Sequence, residues 1–459
     1  MNSIYKLLIA VPLCCLIAAC TDDRNNFMVD DSISYVNQDK VVNVSVFSEK
    51  YDLSVVKSGK GESSATAGIA FPDTALTSYN TANGTDFVSL STDLFSISSS
   101  KLSFDKKDVR KITEITWKAD AVVPVLKSGD YAIPCSLSAS GVEVNDDRSL
   151  VMLCPKLSKV SMSDTLAGTL NPTAVETQID TITGEINVDY PIDNKDIQLN
   201  LAIDNTLLDA YNTAHGTSYT QAPDGLITIL DKSVTISEGE SSITFRYALS
   251  SSKFYSDGKM LPFTAYLVPI SIVSTSISGL PIAVSTMYVP IKNESKTLMG
   301  PWTVLEGTDL CYAKEDGAPT WGAAYTVDRL VDGNPATEWI SPFRHEITFP
   351  MTFVFDLGGM HLFQDFKIKD FKTHQGNYRQ YEMYMAKEYN GADTQWSLIA
   401  SGKRGYSWDP DGGLYDFPVQ NLVVGRYLKF VIVKPEFSTA SGDYQYGRGK
   451  LSELYGTGL

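Results

Sequence analysis

The chain has 459 residues, enough for about three domains, and carries a formal net charge of −16 with no basic cluster. Nucleic-acid affinity comes mainly from Lys and Arg neutralising phosphates, so this balance excludes a nucleic acid as partner. Beyond the N-terminal segment, no apolar stretch approaches the roughly 20 residues a transmembrane helix requires.

Lys6 precedes an apolar run from Leu7 to Ile17, and the run ends at Ala18-Ala19-Cys20. This is the layout of a secretory signal, too short for a lasting membrane span. The small-small-Cys ending resembles a bacterial lipobox, which implies a signal peptide over residues 1–19 and a lipid on Cys20. Each buried methylene contributes only about 0.8 kcal/mol, so stable anchoring takes more than one acyl chain, as a triacylated cysteine supplies. Thr21-Asp22-Asp23 resembles the acidic signal that sends some Gram-negative lipoproteins to the outer face of the outer membrane. The alternative is an ordinary cleaved signal that happens to end at a cysteine.

Of six cysteines, three belong to this segment and Cys135, Cys154 and Cys311 remain. With four histidines and neither C-x-x-C nor H-x-x-x-H spacing, a zinc site is not expected.

The next stretch repeats itself. Tyr79-Asn80-Thr81-Ala82-Asn83-Gly84-Thr85 returns as Tyr211-Asn212-Thr213-Ala214-His215-Gly216-Thr217, with Phe87 answered by Tyr219. Leu94 to Ile97 parallels Leu226 to Ile229, and Ala132 to Leu137 parallels Tyr266 to Ile272. Period-two alternation at Val42-Val44-Val46 and Ile186-Val188-Tyr190, with frequent turns, predicts a β-sandwich in each copy. One short helix is expected before each Tyr-Asn pair, with Asp73 and Asp204 as N-caps. Within the motif, Tyr is expected to pack, Asn to bond the local backbone, and Gly to close the helix at positive φ. A sugar site there is the weaker reading. Aligning the copies places Ile270 opposite Cys135 and Val289 opposite Cys154, so both cysteines are expected to face one core, as two thiols or as a disulfide.

The repeat resembles an immunoglobulin-like domain of unknown function found in tandem in surface lipoproteins of glycan-utilisation systems. The resemblance gives repeats at 28–156 and 157–294 and implies a spacer or platform without catalytic residues. Asn293 to Thr297 reads as a polar linker.

From Leu298 the pattern changes. Leu330-Val331-Asp332-Gly333 leads through Thr337 to Trp339, followed by the apolar strand Phe353 to Leu357-Gly358. Gly425-Arg426-Tyr427-Leu428-Lys429 alternates like a strand, and the chain closes on Glu453-Leu454-Tyr455-Gly456. In this order the elements resemble the discoidin, or coagulation factor 5/8 type C, domain, whose members include family 32 carbohydrate-binding modules. The resemblance spans 298–459 and implies a β-sandwich jelly roll with ligand loops at one end. The fold class expected is therefore all-β: two immunoglobulin-like sandwiches and a discoidin-like jelly roll.

Many such modules hold a structural calcium beside the Asp-Gly turn. The chemistry suits a hard cation that takes six to eight oxygens: Asp332 and Glu453 offer carboxylates, Thr337 a hydroxyl and carbonyl, Arg329 and Asn334 backbone carbonyls. The alternative is that Asp332 caps its own turn and Glu453 pairs with a cation nearby. Asp409-Pro410-Asp411-Gly412 reads as a plain turn, lacking a downstream bidentate Glu.

A sugar site needs exposed rings and directional donors. Trp302, Trp339 and Trp396 are expected to be packing residues, which leaves Trp321, Phe343, Arg344, His345, His374, Asn377 and Tyr378 as candidate glycan contacts. The function expected is a lipid-anchored, non-catalytic surface glycan-binding protein that feeds an outer-membrane uptake system, with a glycan transporter complex as a further partner. An adhesin or protein-binding lipoprotein is the rival. A glycoside hydrolase would need a carboxylate pair in a cleft, and no hydrolase pattern is present.

Overall fold

The computed structural model describes residues 29–38, 40–171, 179–256, 259–314, 320, 324–342, 349–370, 378–403, 413–435 and 450–459. Strands dominate, and they form three successive two-sheet units. In the first, Glu143–Val144, Ser32–Tyr35, Lys50–Ser58, Arg110–Trp117 and Phe95–Ile97 make one sheet. Val41–Ser45, Leu150–Lys156, Tyr131–Ser140, Ala65–Ala70 and Lys101–Phe104 make the other. The second unit repeats the plan between Val160 and Lys292. The fold is all-β, as the alternating pattern predicts.

The repeated motif does the same local work in both copies. Asn80 Oδ1 accepts from the Phe87 amide and the Thr85 hydroxyl while its Nδ2 donates to the Phe87 carbonyl. Asn212 makes the same three bonds to Tyr219 and Thr217. Gly84 and Gly216 end the helices Asp73–Asn83 and Leu208–His215 at φ 65° and 64°, where a side chain would be strained. The helix starts differ. Asp204 does cap, accepting from the Thr206 amide, but Asp73 is itself the first helical residue behind Pro72 and makes no capping bond.

Two expectations are corrected. Cys135 pairs across its strand with Val151, three residues from Cys154, and an odd offset reverses the face in a strand of period two. Cys135 therefore lies in the main core. Cys154 lies with Leu76, Ala132 and Met152 in a satellite cluster beneath the helix. The residue equivalent to Cys154 in the second copy is Pro290, since Met152 faces Pro134 as Tyr288 faces Pro269. The two thiols are free. The segment read as a linker is also structured: Asn293 is buried, donates to the Leu261 and Pro262 carbonyls, and leads directly into the strand Lys296–Leu298 of the third unit.

The first two units are bolted together by polar contacts. Ser158 Oγ bonds Ser45 Oγ at 2.6 Å and the Tyr190 carbonyl at 2.8 Å. Ser48 receives the Asp193 amide and the Asn194 side chain. Glu49 accepts from the Ala119 amide and pairs with Lys195 across the junction. It is the only non-glycine at positive φ among the described residues, held at 57°.

The third unit is organised by one 20-residue strand, Met351–Asp370. Up to Leu362 it pairs with Val424–Pro435, then from Phe363 with Lys450–Gly458. It changes sheets where the register shifts between Asp356 and His361, around Gly358 at φ 80°. Between the sheets pack Trp339, Phe353, Phe355, Phe366, Tyr381 and Phe430. The Trp339 indole donates to the Leu310 carbonyl at 2.8 Å, so burying this large ring leaves no orphaned donor.

Cys135 and Cys154 are expected to resist iodoacetamide in the native chain, because burial pushes both thiols well above their ordinary range. After denaturation without reductant, peptide mass mapping should find both labelled. A native disulfide would leave both unlabelled.

Candidate functional site

The strand register determines which connections of the third unit meet. Met351 pairs with Ile432, Tyr378 with Pro435, Gln380 with Lys403, and Asp370 with Leu451. The strand ends flanking 343–348, 371–377, 404–412 and 436–449 thus gather at one end of the sandwich. Tyr325, just past Trp321 in sequence, reaches the same end, with the Lys450 ammonium 5.9 Å from its ring centre. Trp321, Phe343, Arg344, His345, His374 and Asn377 lie outside the described residues, as do residues 409–412 of the plain turn and Cys20. Tyr378 opens the strand Tyr378–Ala386, and its side chain is also outside them.

The opposite end faces the second unit. Tyr255, on the hairpin strand Tyr255–Ser256, donates its hydroxyl to the Leu422 carbonyl, and Met260 packs with Met360, Leu362, Val424 and Leu459. The ligand-loop end expected from the sequence is therefore the end turned away from this contact.

The tryptophans divide otherwise than expected. Trp339 and Trp302 are buried as packing residues. Trp396 is not: it is half-exposed, with the Lys429 ammonium 4.9 Å from its ring and 4.3 Å from that of Tyr384. An indole in an apolar core is replaced here by a cation–π stack on a sheet face.

Near the loop end, the Asp-Gly turn meets the closing strand. Asp332 Oδ1 accepts from the Asn334 amide at 2.9 Å, and the Thr337 hydroxyl lies 2.8 Å from Oδ2. Arg329 Nη1 stands 3.1 Å from that same Oδ2. Gly333, at φ 77°, leaves no room for a Cβ, which would meet the Gly300 carbonyl oxygen at 2.6 Å. Ser452 braces the turn by bonding the Pro335 and Thr337 carbonyls. Glu453, fully buried, receives a long contact from the Gly333 amide at 3.4 Å and lies within hydrogen-bonding reach of the Asn334 amide and the Asp332 carboxyl, while its Oε2 has no hydrogen-bond partner among the described residues. The expected alternative, Glu453 paired with a nearby cation, is not what these distances show. Asp332, in contrast, does cap its turn.

Among the described residues no group of three or more His, Cys, Asp and Glu side chains is placed to hold a metal. The donors here are two carboxylates, a hydroxyl and carbonyls, an oxygen set that fits Ca²⁺ rather than zinc. The orphaned Glu453 Oε2 is the acceptor such an ion would satisfy.

Burial first, then the charge of Asp332, pushes the Glu453 carboxyl from 4.5 up to about 8. Without a metal, the folded chain then holds a proton that the unfolded chain releases between those values. Stability of this unit is expected to fall as pH rises from about 5 to 8. Glu453→Gln should flatten that dependence, read as the thermal midpoint in chelator across the pH series; an unchanged slope would remove Glu453 as its source.

A family model for an N-terminal domain matches residues 24–143 and again residues 158–279. Among curated proteins none matches the chain. Similar solved structures include a fragment of a putative chitobiase from Bacteroides thetaiotaomicron, 22% identical over 36% of this chain and 93% of its own, with a TM-score of 0.29. A family 32 carbohydrate-binding module of C. perfringens NanJ, solved with galactose, is 14% identical over 36% and 98%, at a TM-score of 0.26. A two-domain protein of unknown function from Bacteroides fragilis is 13% identical over 66% and 94%, at 0.23. Since the N-terminal-domain model accounts for more than half of its residues, the chain belongs to the family that this domain defines and carries the domain twice.

Proposed function

We propose that this chain is a lipid-anchored, non-catalytic glycan-binding protein of the outer cell surface. Its C-terminal sandwich captures oligo- or polysaccharide for an outer-membrane uptake system, and the two repeats hold that sandwich away from the membrane. The observation that carries this reading is the strand register of the third unit. It gathers at one end the strand ends flanking the segments that bear Phe343, Arg344, His345, His374 and Asn377. That end is turned away from the hairpin contact with the second repeat. Rings give a stacking face for sugar C–H groups, and Arg, His and Asn give directional hydrogen bonds to hydroxyls. A net charge of −16 suits a neutral or cationic glycan better than a sulfated one.

Anchoring rests on the lipobox-like Leu16-Ile17-Ala18-Ala19-Cys20, and surface exposure on Thr21-Asp22-Asp23. Calcium belongs to the same reading: Asp332 and Glu453 hold the ion with the Thr337 hydroxyl and the carbonyls of Arg329, Asn334 and Thr337, fixing the turn beneath the loop end. The ion supplies charge that relieves two adjacent carboxylates, and takes no part in chemistry.

The soluble chain, freed of its signal, is expected to bind on a glycan array and to release no new reducing ends from the glycans it binds. Trp321→Ala and Arg344→Ala should each weaken the array ligand by about fivefold or more in calorimetry, the cost of roughly 1 kcal/mol for a lost stack or directional bond. Retained affinity in both variants would move the site off these loops.

Calcium is expected to raise the melting temperature of the third unit, with about 2.7 kcal/mol gained at a hundredfold excess over Kd. Asp332→Ala should abolish the shift. A midpoint indifferent to both chelator and added calcium would contradict the assignment.

A further inference from the structure

Arg329 stands between two carboxylates on the turn that begins the calcium-type cluster. Its Nη1 lies 3.1 Å from Asp332 Oδ2, and its Nε lies 3.9 Å from Asp328 Oδ2. The two acceptors differ in solvation: the Asp332 side chain is 18% exposed and that of Asp328 58%. The buried Nε has no hydrogen-bond partner among the described residues, so the guanidinium is not fully satisfied where it sits. The oxygen it holds, Asp332 Oδ2, faces the same cluster as the buried, unpartnered Oε2 of Glu453.

Asp332 Oδ2 already accepts from both Arg329 and the Thr337 hydroxyl, so both of its lone pairs are engaged and an ion that takes this oxygen must displace a donor. A calcium ion takes a carboxylate oxygen at about 2.3–2.6 Å, and a guanidinium bonded to that oxygen would bring like charge within a few ångströms. Arg329 does not neutralise the cluster by itself. It answers Asp332 and leaves Glu453 Oε2 without a donor. A divalent ion that answers both carboxylates can therefore displace it. Asp328, on the same turn and already within ion-pair range of Nε, is the acceptor to which the displaced guanidinium can move by rotating its side chain.

We propose that Arg329 is a built-in counter-cation of this site: it occupies Asp332 when no metal is bound and passes to Asp328 when calcium enters. Arg329 thereby sets the calcium affinity of the chain, and Asp328 limits the cost of displacing it. The inference rests on the calcium reading above, and concerns which side chain the ion must compete with.

The test is calcium titrated alone into the full mature chain at fixed salt and pH, by calorimetry, with the thermal midpoint as second readout. Arg329→Gln should bind calcium about twofold to fivefold more tightly, the range expected for removing a partly exposed ion pair. Asp328→Asn should bind it more weakly. The double variant should match Arg329→Gln, because Asp328 matters only through Arg329. Raising the salt should narrow the difference between the native chain and Arg329→Gln. If Arg329→Gln binds calcium no more tightly than the native chain, the counter-cation is wrong while the calcium site stands. If neither binds calcium, both fall. Should Arg329→Gln fail to fold, Asp328→Asn alone decides, and unchanged affinity there overturns the proposal.

Discussion

Two carboxylates brought together in one desolvated turn repel, and each loses hydration that a hydrogen bond must replace. The third unit accepts this at Asp332 and Glu453. Its closing strand carries Glu453 into full burial against a turn so tight that Gly333 cannot bear a side chain. Asp332 is well supplied, by an amide, a hydroxyl and a guanidinium. Glu453 is not. The imbalance ties the position of the loop end to whatever positive charge or proton the pair acquires, since this turn and Trp339 join the start of the sandwich to its last strand.

Around that point the architecture is a series of fixed joints. Ser45, Ser48 and Glu49 fasten the first unit to the second, and Glu49 adopts left-handed backbone geometry to reach both Ala119 and Lys195. Tyr255 and Met260 fasten the second to the third. At the first joint the apolar cores of the two units run together, and the directional polar bonds across it fix their orientation, with Asn194 Oδ1 left as a buried acceptor that has no partner among the described residues. The end of the third unit where the strand ends flanking residues 343–348 and 371–377 meet is the one left outside these joints.

Much of this was legible in the residues. The Tyr-Asn-x-x-x-Gly-Thr motif announced both its duplication and its role, because an Asn that bonds a strand seven residues on, and a Gly at positive φ, are local requirements. The order of elements in the third unit likewise placed Trp339, Asp332 and Glu453. What local pattern could not give was face and distance. Pairing Cys154 with Val289 puts it on the wrong side, because that alignment is one residue out and a single residue reverses a strand's faces. The resemblance to the discoidin pattern puts Trp396 at a core position, whereas Lys429 and Tyr384 offer it a stack on the surface. Asp73 resembled a cap, but Pro72 already had the extended backbone that a cap position requires. The calcium pattern assigns Arg329 only a carbonyl, yet its side chain is bonded to Asp332. The three-residue spacing to Asp332 was the signal that its side chain would reach back.

The two copies also differ where they are most alike in sequence. In the first, Leu76 of the helix packs on Ala132, Met152 and Cys154, a soft, irregular bed; in the second, Tyr211 leans on Tyr288 with ring centres 4.3 Å apart. Tandem domains of similar sequence are prone to exchange strands while they fold, since each offers its neighbour nearly the right partner. Here the last strand of either copy would arrive beneath the wrong helix with the wrong shape: Tyr288 would overfill the space made for Met152, and Met152 would leave Tyr211 without its ring. Unlike shapes at the equivalent positions Met152 and Tyr288 thus disfavour exchange of the last strands between the copies.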